Sequence, residues 1–181
     1  MSTASASPTL RENRSYLSLI ARVPAALAEH IVSWRLAQGA SGQVVSSIHI
    51  TVLIAHEEDG GCALTRLRQE FAGHGAIEVQ LGEPASFEPV APVTYLPLGE
   101  GAACFSEVHQ RSIELVGPSA SPFDYTPHLT LAHGLGDAAR AASLEYFQQL
   151  PEGLDRFEVT ELAVYRFTEG SWEHLGDVPL T

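Results

Sequence analysis

Two short strings constrain this chain more than any other feature: Ser47-Ile48-His49-Ile50-Thr51-Val52-Leu53 and Pro127-His128-Leu129-Thr130-Leu131. Each is His-x-Thr-x set among aliphatic residues, a composition that favours a β-strand. Side chains alternate between the two faces of a strand, so His49 and Thr51 are expected to point one way, as are His128 and Thr130. Composition alone gives roughly 0.4 His-x-Thr triplets in such a chain. Two copies in similar apolar runs, 79 positions apart from 49 to 128, point to a repeated structural unit.

The periodicity elsewhere fits that repeat. Residues 15–23 alternate as a strand, and Pro24 then opens a helix to about residue 38 that Gly39 and Gly42 end. The first motif strand spans about 44–55, the polar loop His56-Glu57-Glu58-Asp59 follows, and a helix over about 63–71 leads to a strand over 77–87. Pro89 and Pro92 punctuate the middle, after which the order repeats. It runs strand 93–98, helix 103–116, motif strand 125–133, helix 137–150 and strand 156–167. A last strand, 172–180, closes a hairpin at Glu169-Gly170-Ser171.

The expected fold is α+β: a duplicated, bilobal domain with two antiparallel-rich sheets facing a central cleft and helices outside. Residues 15–181 form it, with lobes of about 15–90 and 91–181. Residues 1–14, rich in Ser, Ala and Thr, read as a flexible tail.

Composition narrows the chemistry. A formal charge of −12 argues against a protein that grips long nucleic-acid duplexes, since such affinity comes from many cations on phosphates. The chain has no lysine; its ten basic residues are all arginine. That excludes a lysyl-adenylate, a Schiff base and a P-loop lysine. No apolar run approaches the roughly 18 residues of a membrane span, and the expectation is a cytoplasmic, monomeric protein. Cys62 and Cys104 lack the spacing of a redox or metal pair and read as reduced thiols.

The paired motifs, the segment Tyr125-Thr126-Pro127-His128-Leu129-Thr130-Leu131-Ala132-His133 and the closing Glu161-Leu162-Ala163-Val164-Tyr165-Arg166 carry a resemblance. Over residues 15–181 the chain resembles the two-histidine (2H) phosphoesterase superfamily, in its bacterial 2′-5′ RNA ligase and RNA 2′,3′-cyclic phosphodiesterase branch. The resemblance implies that His49, Thr51, His128 and Thr130 are the catalytic tetrad and that no cofactor or metal takes part. It departs where members often carry a basic residue just after a motif. Leu53, Ile54, Ala132 and His133 stand there, which weighs toward small substrates.

The residues themselves suit such chemistry. Opening a 2′,3′-cyclic phosphate needs a water to lose a proton while a ribose oxygen gains one, work for one neutral and one protonated imidazole. Thr51 and Thr130 hydroxyls can hold the non-bridging oxygens. The expected substrate is a small cyclic nucleotide or an RNA terminus. Two alternatives are ATP-independent, reversible 2′-5′ RNA joining and non-catalytic binding of an RNA end or nucleotide.

A nucleotide cleft also calls for an aromatic to stack a base and an arginine for phosphate charge. Tyr125, beside the second motif, is the first choice among Phe123, Tyr125, Tyr16 and Tyr95, and Arg166 or Arg22 fills the second role. Strict alternation puts His56 on the face opposite His49, and His133 on the face opposite His128. His30, His74, His109 and His174 read as surface residues.

Overall fold

The computed structural model describes residues 15–41, 48–56 and 60–181. The expected tail, the start of the first motif strand and the acidic loop at 57–59 fall outside them. Nine strands and four helices among the described residues follow in order: β1 (Tyr16–Arg22), α1 (Ala25–Ala37), β2 (His49–His56), α2 (Gly60–Glu70), β3 (Ile77–Gln80), β4 (Ala85–Ser86), β5 (Val93–Pro97), α3 (Ala102–Val116), β6 (His128–His133), α4 (Asp137–Tyr146), β7 (Arg156–Val159), β8 (Glu161–Thr168) and β9 (Ser171–Pro179). No helix among them is long and apolar enough to cross a membrane.

The architecture is α+β, as expected. Seven strands pair antiparallel in the order β4-β5-β6-β2-β1-β8-β9, and β3 pairs with β7 in a small second sheet. The large sheet is held together at its centre by one pair, Ile50 with Leu129, each the residue between the His and Thr of its motif. That single link divides it into two antiparallel portions, β2-β1-β8-β9 and β6-β5-β4.

Both halves begin β-α-β-α-β-β, β9 being extra in the second, and both give away the sixth of these elements. β4, from the first half, pairs with β5 of the second, and β8, from the second, pairs with β1 of the first. The lobes therefore interleave, and a division near residue 90 does not follow the strand pairing. Two strands expected as single runs are each split for this reason. The run 77–87 breaks at Gly82-Glu83-Pro84 between β3 and β4, and the run 156–167 breaks at Thr160 between β7 and β8. In each case the chain passes from the small sheet to the large one.

One sheet face is apolar and packed. Leu17, Leu19 and Ala21 of β1, Ile50, Leu53 and Ala55 of β2, and Leu129 and Leu131 of β6 are all buried. α3 lies against β2, α2 against β9, and α4 against β5 and β6. Burying each such Leu or Ile contributes about 1.5–3 kcal/mol. α3 is brought close by Gly101 at its start, where φ is +86° and a Cβ would lie 2.5 Å from the Glu78 carbonyl oxygen. The opposite face carries the motif side chains.

Candidate active site

Antiparallel pairing of Ile50 with Leu129 sets the geometry of both motifs at once. Counting outward from that pair, His49 comes alongside Thr130 and Thr51 alongside His128, so the two imidazoles occupy a diagonal. In a regular ladder such diagonal neighbours lie about 7–8 Å apart, room for a phosphate between them. The ladder stops there because both strands bulge just beyond. Leu19 pairs with Leu53 but Ile20 with Thr51, which leaves Val52 as an extra residue in β2. Thr94 pairs with Ala132 but Tyr95 with Thr130, which leaves Leu131 extra in β6. Each bulge follows its motif threonine directly and bends its strand away from the pair, opening the cleft.

The bulges correct two expectations. An extra residue reverses the alternation beyond it, so His56 shares the His49 face and His133 the His128 face. His56 meets the ring of Tyr16, and His133 lines the same cavity as His128 and Thr130. Two consecutive buried aliphatics, Val52-Leu53 and Leu131-Ala132, were the sequence signal for this reversal.

A bulge also frees carbonyls from the ladder, and here side chains satisfy them. In β2, the Tyr125 hydroxyl donates to the Thr51 carbonyl at 3.0 Å, and His109 Nδ1–H donates to that of Val52 at 2.6 Å. In β6, Arg35 donates through Nη2 to the Thr130 carbonyl at 2.6 Å and through Nε to that of Leu131 at 2.8 Å. Each clamp crosses the duplication. Arg35 comes from α1 of the first half and holds the second motif, whereas His109 comes from α3 of the second half and holds the first.

Each histidine sits in its own surroundings. His128 Nδ1–H donates to the Thr126 carbonyl at 2.6 Å, which fixes the tautomer and leaves Nε2 for a ligand. Phe87 and Tyr95, stacked 3.9 Å apart, both meet its ring at a steep angle. Burial holds His128 below the usual imidazole range, with the Thr126 bond acting in the other direction. His49 is pushed down to about 4, first by burial and then by the charges of Arg35 and His128. Burial and Arg35 lower His133 as well.

Beside the tetrad lies a cavity of about 370 Å³, lined by Thr51, His128, Thr130 and His133 and by two aromatic walls. One wall is Phe87; the other is Tyr125, stacked on His109 with centroids 3.9 Å apart, and Phe123. Among the described residues its only carboxylate is Asp124, and no arginine lines it. Tyr125 is thus brought to the site as expected, and His109, read from the sequence as a surface residue, is part of its wall. His49 is not among the lining residues.

Arg166 is not brought there. It pairs with Leu17, on the packed face of the sheet, and its guanidinium lies 3.7 Å from Glu173. The arginine on the motif face is Arg22, opposite His49 in register and bound to Glu161 at 3.1 Å and Asp177 at 2.9 Å. Its second nitrogen lies 3.1 Å from His174 Nε2. Sequence reading missed Arg35, whose helical position says nothing of the strand carbonyls it reaches.

The chain matches the family model of the 2′-5′ RNA ligase superfamily over residues 23–171. Among solved structures, Escherichia coli LigT in complex with ATP superposes with a TM-score of 0.64 at 20% identity, covering 93% of this chain and 99% of that one. TT0787 of Thermus thermophilus gives 0.60 at 16% identity, covering 91% and 97%. Usb1 of Kluyveromyces marxianus gives 0.52 at 15%, covering 94% and 100%. No curated protein matches by sequence. At these identities the structural likenesses carry the fold alone.

Proposed function

The chain belongs to the 2′-5′ RNA ligase superfamily, and from that premise we propose that it is a metal-independent phosphoesterase that opens 2′,3′-cyclic phosphates on small nucleotides or RNA ends. The observation that carries this reading is the diagonal of His49 and His128, each beside the other motif's threonine, around the Ile50–Leu129 pair. Residues 15–181 act as one monomeric unit.

His49, held neutral, takes a proton from water as the water oxygen bonds to phosphorus. The bond from phosphorus to one ribose oxygen breaks, and protonated His128 gives that oxygen its Nε2 proton. Thr51 and Thr130 donate to the non-bridging oxygens as charge builds on them. The base and ribose occupy the aromatic cavity, where Tyr125, already backed by His109, offers its other face for stacking. A lining without arginine among the described residues favours a neutral nucleoside over a second phosphate there. LigT, with the same fold, has been crystallised with 3′-AMP and with phosphate. With a 5′-hydroxyl in place of water, the same groups would open the ring at its 3′-oxygen, which takes the His128 proton, and leave a 2′-5′ linkage, which keeps 2′-5′ joining as a second reading.

The test is turnover of the four 2′,3′-cyclic mononucleotides, ADP-ribose 1″,2″-cyclic phosphate and 2′-5′ oligonucleotides, with EDTA present. Ring opening in EDTA is expected, with a nucleoside monophosphate as product. Turnover only on adding metal would overturn the mechanism, and tight binding without turnover would make the protein a nucleotide binder.

A further inference from the structure

We infer that Arg35 is a positioning residue of this site: its buried guanidinium fixes the β6 bulge that aims Thr130 and His133 into the cleft, and it holds a fixed positive charge behind the two motifs for the bound phosphate. This rests on the phosphoesterase reading above.

The geometry is specific. Arg35 is only 2% exposed, in the last turn of α1, and its planar fork spans the two carbonyls that the bulge releases, those of Thr130 and Leu131. Withdrawing a cation from water is costly, and donors without a fixed charge can do the same structural work. The β2 bulge demonstrates this within the same molecule, since the Tyr125 hydroxyl and His109 Nδ1–H close it without a fixed charge. The charge at β6 is therefore not required by the bulge alone. Burial lowers Arg35 to about 10, which leaves it a cation at neutral pH. Its field reaches both His49 and His133.

That charge also supplies what the motifs lack. Neither is followed by a basic residue, and the chain has no lysine. Arg35 from α1 and His128 from β6 act on His49 through their charge, and Arg22 of β1 lies opposite it in register. Arg22 is bound to Glu161 and Asp177, whereas the charges of Arg35 and His128 lower His49. A phosphate held between the motif histidines would meet the same field, with no reorganisation needed when charge builds.

Two variants separate the roles. Arg35→Gln keeps a donor for the carbonyls but loses the charge, and Arg35→Lys keeps the charge but loses the fork. NMR titration of the His49 ring and binding of inorganic phosphate are read in both, neither requiring turnover, together with kcat/KM on a 2′,3′-cyclic nucleotide. In Arg35→Gln, His49 is expected to titrate nearer to a free imidazole, phosphate to bind more weakly and kcat/KM to fall about 100-fold. In Arg35→Lys, His49 is expected to titrate as in the wild type while kcat/KM falls about 10-fold, the cost of a loosened Thr130. A His49 titration that is the same in Arg35→Gln as in the wild type, or phosphate affinity unchanged there, overturns the charge role. Should Arg35→Gln not fold, unaltered kcat/KM in Arg35→Lys overturns the positioning role. A wild type that turns over no cyclic phosphate defeats the proposed function, while the titration and phosphate binding still decide the part of Arg35.

Discussion

The bulges of β2 and β6 occupy matching places, one residue past each motif threonine, yet opposite kinds of side chain close them. Groups without a fixed charge, His109 and Tyr125, hold the first, and they also form a wall of the aromatic cavity. A buried cation, Arg35, holds the second from behind the sheet. Duplication explains why both bulges exist, since the same break in alternation recurs in both halves. Their different closures give each half a different task. One turns a ring surface toward a nucleoside, and the other turns charge toward a phosphate.

If the halves divide the work in this way, removing either imidazole should cost most and cost it equally. His49→Ala and His128→Ala are each expected to lower kcat/KM about 10²–10⁴-fold, the usual range for a lost general acid or base. A variant near wild-type turnover would break the symmetry. Thr51→Ala and Thr130→Ala should cost less, about 10–100-fold each in steady-state kinetics, the loss of one donor to the transition state. A large difference between them would mean that one half alone holds the phosphate.

The β2 clamp predicts a smaller effect, on stability. Tyr125→Phe strips the part-buried Thr51 carbonyl of its donor and should cost about 1–2 kcal/mol in urea denaturation, with kcat/KM lowered by no more than about 10-fold through a loosened Thr51. Stability should also depend on pH. His49, His128 and His133 are all held below the ordinary imidazole value, so the folded chain binds fewer protons than the unfolded one in acid. Their contribution is fully present above about pH 6.5 and is lost as pH falls toward the folded values, the lowest being that of His49. The midpoint of unfolding should therefore drop through that window. His133→Gln should remove a minor part of the drop, and His49→Gln a larger one.

Much of this was legible in the chain. Helix and strand periodicity placed the four helices among the described residues to within a few residues, and the motif spacing announced the duplication. What escaped depends on partners distant in sequence. Nothing in 77–87 or 156–167 says that a strand will leave one sheet for the other at Gly82-Glu83-Pro84 or at Thr160. Arg166 was the wrong arginine because its face is set by its register against Leu17, and Arg22 reached the motif face by pairing with His49. Strict alternation misplaced His56 and His133, although Val52-Leu53 and Leu131-Ala132 recorded the fault. Arg35 and His109 look like ordinary helix residues, and only the crossing of the two halves brings them to strand carbonyls.

The pH dependence of kcat/KM for 2′,3′-cyclic AMP in EDTA, taken for the wild type, His49→Ala and His128→Ala, puts the two-histidine mechanism to the test. With His49 as base at about 4 and His128 as acid below the ordinary imidazole value, the wild type should give a bell with an acidic optimum. Each variant should lose one limb along with most of its rate. A profile that rises steadily into alkali, or one that keeps both limbs without His49 or His128, would contradict it.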